Sequence, residues 1–97
     1  MSCYMVYHYN IIDEERIKLL APLSMPIVEK YGGALVVASH ISCLEGSSPY
    51  KNMVVYKFKN KEQAKSFYES DESRELSKLR HKVTEGFVTM VSEYNAS

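Results

Sequence analysis

Three side chains in this sequence are imidazoles: His8, His40 and His81. Imidazole is the ordinary side chain that exchanges its proton near neutrality, so these come first as proton carriers. His8 and His40 fall inside runs of apolar strand-forming residues and are the candidate catalytic groups. Each also fits a packed role on a sheet face. His81 follows Arg80 near the end of a helical stretch, where the helix dipole favours cations, and that placement accounts for it without a ligand. Arg80 carries a planar guanidinium fork that matches a carboxylate. Its partner is either a ligand anion or one of Glu45, Glu72 and Glu75. Among eight tyrosines, Tyr7, Tyr9, Tyr56 and Tyr68 are placed to stack on a flat organic molecule or to donate to a carbonyl. Tyr9, Tyr68 and Arg80 form the expected ligand-binding set.

Other chemistries lack their residues. Cys3 and Cys43 are far apart, with no paired histidine spacing for zinc. Gly32-Gly33 and Gly46 build no phosphate loop, and there is no Gly-x-Ser-x-Gly turn. No metal and no cofactor are expected.

The elements that must position these groups follow from local pattern. Tyr4 to Tyr9 is dense in aromatic and β-branched residues and predicts a strand. Asp13 offers a helix cap, with Glu14 and Glu15 in the first turn. Ile17, Leu20, Ile27, Val28 and Tyr31 recur at helical spacing, but Pro22 and Pro26 interrupt them. The expectation is two stacked pieces, one ending near Ala21 and one capped by Ser24 with Pro26 in its first turn. Gly32-Gly33 ends the second. Ala34 to Ser42 and Met53 to Phe58 read as strands, separated by the turn chemistry of Glu45-Gly46-Ser47-Ser48-Pro49. Asn60 caps the next helix, with Gln63 completing a capping box and Ala64, Phe67 and Tyr68 facing inward. Ser70 caps a further helix that turns Leu76, Leu79 and Val83 inward and ends in Arg80, His81 and Lys82. After Gly86, Phe87 to Ser92 is the last strand. The order β-α-β-β-α-β predicts a ferredoxin-like α+β fold, a four-stranded antiparallel sheet with its helices on one face.

An antiparallel sheet wetted on one side alternates apolar with polar, and these strands do not. Tyr4 and Val6 oppose Met5, Tyr7 and Tyr9; Met53 and Val55 oppose Val54, Tyr56 and Phe58; Phe87 and Val91 oppose Val88 and Met90. Helices on one face leave the other as an apolar patch larger than monomers expose. A second copy related by a two-fold axis is the expected cover, so a homodimer through the sheet face is predicted.

Length and charge set the remaining bounds. Ninety-seven residues allow a single domain, 1–97. Twelve Lys+Arg balance twelve Asp+Glu, which argues against nucleic acid as a partner. No apolar run approaches the roughly 18 residues of a membrane span. The opening Met1-Ser2-Cys3-Tyr4 has no basic, then apolar, leader pattern. A cytoplasmic location with two reduced thiols is expected.

Four segments in register also carry a family likeness: Lys30-Tyr31-Gly32-Gly33, Leu44-Glu45-Gly46, Met53-Val54-Val55-Tyr56-Lys57-Phe58, and Ser70-Asp71-Glu72 through Leu79-Arg80. Together they resemble the domain-of-unknown-function 1330 family of the dimeric α+β barrel superfamily, over nearly the whole chain. The resemblance implies a ferredoxin-like protomer dimerised through its sheet. Related families include cofactor-free monooxygenases acting on aromatic polyketides, haem-degrading enzymes and lactone isomerases. Arg80 matches the family's arginine near the end of the last helix. The chain departs from the family at Ala38-Ser39-His40, where an arginine is common, and at Ser70-Asp71-Glu72-Ser73, which lacks the usual proline and aromatic. It also has no tryptophan, unlike haem-degrading relatives that use one.

The functional expectation is a small-molecule-binding dimer for a planar organic ligand, with a cofactor-independent reaction of monooxygenase or isomerase type implied. In that reaction a histidine would move the proton and Arg80 would hold an anion. The alternative is a non-catalytic homodimeric interaction or stress-response module. Convergence of His8, His40 and Arg80 on one cavity separates the two.

Overall fold

The computed structural model describes residues 1–95, so the last two residues of the expected 1–97 domain lie outside it. Its elements are β1 (Cys3–Ile11), α1 (Leu20–Lys30), β2 (Ala34–His40), β3 (Asn52–Phe58), α2 (Lys61–Glu69), α3 (Asp71–Val83) and β4 (Thr84–Ser92). A short 3-10 turn, Arg16–Leu19, leads into α1. The strands form one antiparallel sheet in the spatial order β2-β3-β1-β4. This is the ferredoxin-like βαββαβ arrangement.

β1 lies between β3 and β4, with Tyr7 opposite Val54 on one side and Val88 on the other. Strand alternation then sorts its side chains. Cys3, Met5 and Tyr7 face the helices and pack with Val28, Tyr56, Phe58, Ala64 and Phe67. Tyr4, Val6 and His8 face the other way. There Val6 meets Val55 and Thr89, and His8 lies directly opposite Phe87. No helix covers this second face, and it leaves Phe87 47% and Val91 46% exposed. β2, at the sheet edge, is exposed along its whole length.

Local signals account for most helix ends. The Asp13 carboxylate accepts from the amides of Glu15 at 3.1 Å and Arg16 at 2.9 Å. Asn60 accepts from the Gln63 amide at 2.9 Å, and the Ser70 hydroxyl from the Ser73 amide at 3.1 Å. Gly32 takes φ +77°, the left-handed value that lets the chain leave α1.

The first helical region differs from expectation. A single helix, α1, runs through Pro22 and Pro26 instead of breaking between them. Pro22 is its third residue, where an amide has no partner within the helix anyway. Only Pro26 removes a ladder bond. Ser24 does not cap a second piece: it lies inside the helix, buried, and its hydroxyl donates to the Leu20 carbonyl at 2.7 Å. Complete burial of Val28 one turn later supplies packing that offsets the lost bond. Two smaller differences concern the site. Tyr68 is 46% exposed rather than part of the α2 core face, and Gly86 lies within β4 rather than ahead of it. Cys3, buried, and Cys43, exposed, are both free thiols.

Candidate functional site

Between the helices and the sheet lies a cavity of about 340 Å³. β1 and β3 supply its floor through Tyr7, Tyr9, Val54 and Tyr56, and α2 contributes Phe67 and Tyr68. α3 presents Ser73, Leu76, Ser77 and Arg80. Their spacing of three, four and seven residues puts them on one helical face. Leu20 and Ser24 of α1 close the far side, and Thr84, Gly86 and Val88 of β4 close one end.

Arg80 is positioned by the junction of α3 and β4. The Thr84 amide and hydroxyl both donate to the Arg80 carbonyl, the hydroxyl at 2.8 Å. The guanidinium lies 5.2 Å from the centre of the Tyr7 ring, within the range of a cation over an aromatic face. None of the carboxylates expected as its partners pairs with it. Glu72 accepts from Lys30 and Glu75 from Lys78, each at 2.7 Å. Among the described residues no carboxylate pairs with Arg80.

The tyrosines hold one another in place. Tyr7 and Tyr56 meet edge to face at 5.4 Å between ring centres, and Tyr56 meets Phe67 at 6.0 Å. Burial pushes the Tyr7 phenol far above its ordinary value, because a phenolate would lose its hydration. The Arg80 charge pulls the other way without cancelling that shift, and the nearby Tyr56 and Tyr68 add to it. Tyr56 is raised by burial, against the opposing hydrogen bond of Ser24. Tyr9 is raised by burial alone. The floor of the cavity is therefore a set of neutral phenols beside one cation.

The structure brings Arg80, Tyr68 and Tyr9 to this cavity and adds Tyr7 and Tyr56. Of the histidines, His81, next to Arg80 at the end of α3, is also among the lining residues, whereas the two candidate catalytic groups are not directed into the space. His8 borders the end of the cavity near Gly86, but strand alternation turns its ring to the open face, stacked on Phe87 at 4.6 Å. Tyr50 approaches the same Phe87 ring at 5.5 Å. His40 ends β2, exposed at the far edge of the sheet, and is not among the lining residues. His8, His40 and Arg80 thus point to three separate places. Ser73 and Ser77 were missed as lining residues, although their spacing from Arg80 on one helix was a readable signal. Among the described residues no cluster of His, Cys, Asp or Glu is arranged to hold a metal ion.

Fold and site together define a small ferredoxin-like protein with a ligand-sized cavity under its helices. The chain belongs to the family described as a domain of unknown function (DUF1330), whose model matches residues 2–94. No curated protein matches the sequence. Among solved structures, a protein of unknown function from Rhodopseudomonas palustris is similar at 13% identity and a TM-score of 0.76, over 97% of this chain and 83% of that one. SnoaB, a cofactor-independent oxygenase from Streptomyces nogalater, aligns at 4% identity and a TM-score of 0.71, over 98% of this chain and 95% of that one. A protein from Bacteroides fragilis, described as dimeric with a ferredoxin-like fold, aligns at 10% identity and a TM-score of 0.54, over 95% of this chain and 96% of that one. Identities this low speak for a shared fold alone. No helix among the described residues is long and apolar enough to cross a membrane.

Proposed function

We propose that this protein acts as a homodimer, paired through its open sheet face, in which each protomer holds a small planar organic ligand. The observation that carries the ligand reading is the cavity itself. Its volume of about 340 Å³ falls within the usual range of small-molecule sites. Four tyrosines and Phe67 give it flat apolar walls with a few convergent polar tips. Arg80, Tyr68 and Tyr9 are the ligand contacts expected from the sequence, and Tyr7 joins them. Pairing is supported by the exposed Phe87 and Val91 on a face that monomers rarely leave open. The dimeric description of the Bacteroides fragilis neighbour agrees with it.

His8 and His40 stand outside this proposal, since neither ring is directed at the space that Arg80 borders. Their scatter favours binding without acid–base chemistry by His8 or His40. One observation favours a second reading, a cofactor-independent reaction on the bound molecule. Tyr7, kept protonated beside Arg80, can donate to a ligand oxygen that gains charge, the role of a positioned oxyanion donor. SnoaB, described as a cofactor-independent oxygenase, has the same fold.

Thermal shift across planar aromatic compounds and aliphatic compounds of matched size tests the binding reading. The aromatic set should raise Tm in the wild type, and Tyr68→Ala should shrink that rise while leaving the unliganded Tm close to its original value. The proposal fails if no planar compound stabilises the wild type.

A further inference from the structure

The polar side chains that meet in the middle of the cavity all have protons to give. Arg80 has five N–H donors and no acceptor, and it has no carboxylate partner among the described residues. Tyr7, Tyr9 and Tyr56 are phenols whose ionisation burial suppresses. Around the whole lining the one carboxylate is Glu69, exposed at the last residue of α2, against the two guanidiniums of Arg74 and Arg80. A chain whose formal net charge is zero therefore gathers excess positive charge at its best-formed apolar space.

An unpaired guanidinium beside buried rings gains most from an anion, because the same charges attract more strongly there than in water. The surrounding aromatic side chains select the rest of the molecule. Tyr56 meets Tyr7 at 5.4 Å and Phe67 at 6.0 Å between ring centres, and such a run of ring faces and edges suits a flat unsaturated body.

We infer that the ligand is a planar aromatic monocarboxylate, its carboxylate on the Arg80 fork and its ring among Tyr7, Tyr56 and Phe67. This rests on the binding reading above and adds the charge, the functional group and the orientation. A single charge is specified because one guanidinium, Arg80, lies over the Tyr7 ring, while Arg74 and Glu69, both exposed, add one charge of each sign to the lining. Tyr7 and Tyr68 supply hydroxyls to the carboxylate oxygens.

Calorimetric titration with cinnamate and with its neutral isostere cinnamamide separates the two levels of the argument. A hydrogen bond to a charged group contributes about 1.5–3 kcal/mol, so wild-type protein should prefer cinnamate over cinnamamide by about 10- to 150-fold. Arg80→Gln should bring the two affinities to within about twofold, by weakening cinnamate far more than cinnamamide. Arg80→Lys, which keeps the charge and loses the fork, should give an intermediate preference. Equal binding of both compounds by the wild type overturns the anion inference and leaves the cavity reading intact. Failure of both to bind removes the two together. An undiminished preference in correctly folded Arg80→Gln, judged by near-ultraviolet circular dichroism, assigns the anion to another residue and overturns the role of Arg80.

Discussion

Replacing Gly86 with alanine should damage this protein more than any other glycine substitution. Gly86 lies opposite Tyr9 in the ladder between β1 and β4, at φ +154°. A Cβ built there falls 1.9 Å from the His8 carbonyl oxygen and 2.7 Å from the Tyr9 Cα. Both are backbone atoms of the central strand, so no rotamer change relieves the overlap and β1 and β4 must move apart. Overpacking alone costs about 1–3 kcal/mol, and an unfavourable φ adds about 1–3 kcal/mol. A total near 4 kcal/mol, at about 4–8 °C per kcal/mol for a domain of this size, lowers Tm by roughly 16–32 °C. Gly46→Ala is the control. It has φ +72° but nothing within 4 Å of the added methyl, so only the left-handed strain of about 1–2 kcal/mol applies. Thermal and urea denaturation of both variants, with hydrogen exchange at the β1 and β4 amides, provides the comparison. Gly86→Ala should also weaken ligand binding, because the displaced neighbour, β1, carries Tyr7 and Tyr9 into the cavity. A loss no larger than that of Gly46→Ala would refute the claim that close strand approach is what demands glycine there.

Two further outcomes follow from the two sheet faces. Tyr7 has a folded pKa above its ordinary 10.0, so the folded state keeps a proton that the unfolded state releases. The stability associated with it is full below pH 10 and falls as pH rises above that value. Tyr7→Phe should therefore flatten the alkaline limb of a urea midpoint-against-pH profile, and an unchanged limb would show that Tyr7 ionises freely. On the opposite face, Phe87→Glu places a charge beside the His8 ring and within the proposed pairing surface. Sedimentation should report a dimer for the wild type and a monomer for the variant, with far-ultraviolet circular dichroism unchanged. A wild-type protein that sediments as a monomer removes the pairing proposal.

What could be read from the sequence was what short-range chemistry decides. Asn60 and Ser70 announced their caps because the amides they accept from, Gln63 and Ser73, lie within one turn, whereas the Gln63 side-chain oxygen is buried without a partner and the expected capping box is only half formed. The doubled apolar pattern of the strands announced an open sheet face for the same reason: alternation needs only neighbours. The path of α1 was misread because proline was weighed without its position. In the first turn Pro22 removes no ladder bond, and Pro26 is tolerated through contacts of Val28 that lie outside the local sequence. Tyr68 was placed inward from helical spacing, yet it falls at the margin of the Ala64–Phe67 stripe and opens onto the cavity. The cavity itself was out of reach. Arg80 meets Tyr7 across more than seventy positions of chain, and no local pattern signals that α3 leaves space above β1 rather than filling it.

The alternation of β1 ties the candidate site to the candidate interface. Tyr7 and Tyr9 enter the cavity while His8, between them, stacks on Phe87 on the open side. Pleating forbids moving one set without the other. Phe87 in turn is the neighbour of Gly86, whose missing side chain lets β4 close against this stretch of β1. A partner pressing on the His8–Phe87 pair would therefore bear on the backbone that orients Tyr7 beneath Arg80, with no intervening element to absorb the displacement. Dimerisation and ligand affinity are expected to be linked for that reason. Linkage is reciprocal, so with one ligand in each protomer saturating ligand must tighten the dimer by the square of the factor by which pairing tightens each ligand. Dilution through the dimer dissociation range, with and without saturating cinnamate, measures one side of that equality, and cinnamate titrations above and below that range measure the other. A dissociation constant that ignores the ligand would show the two faces of the sheet to be independent.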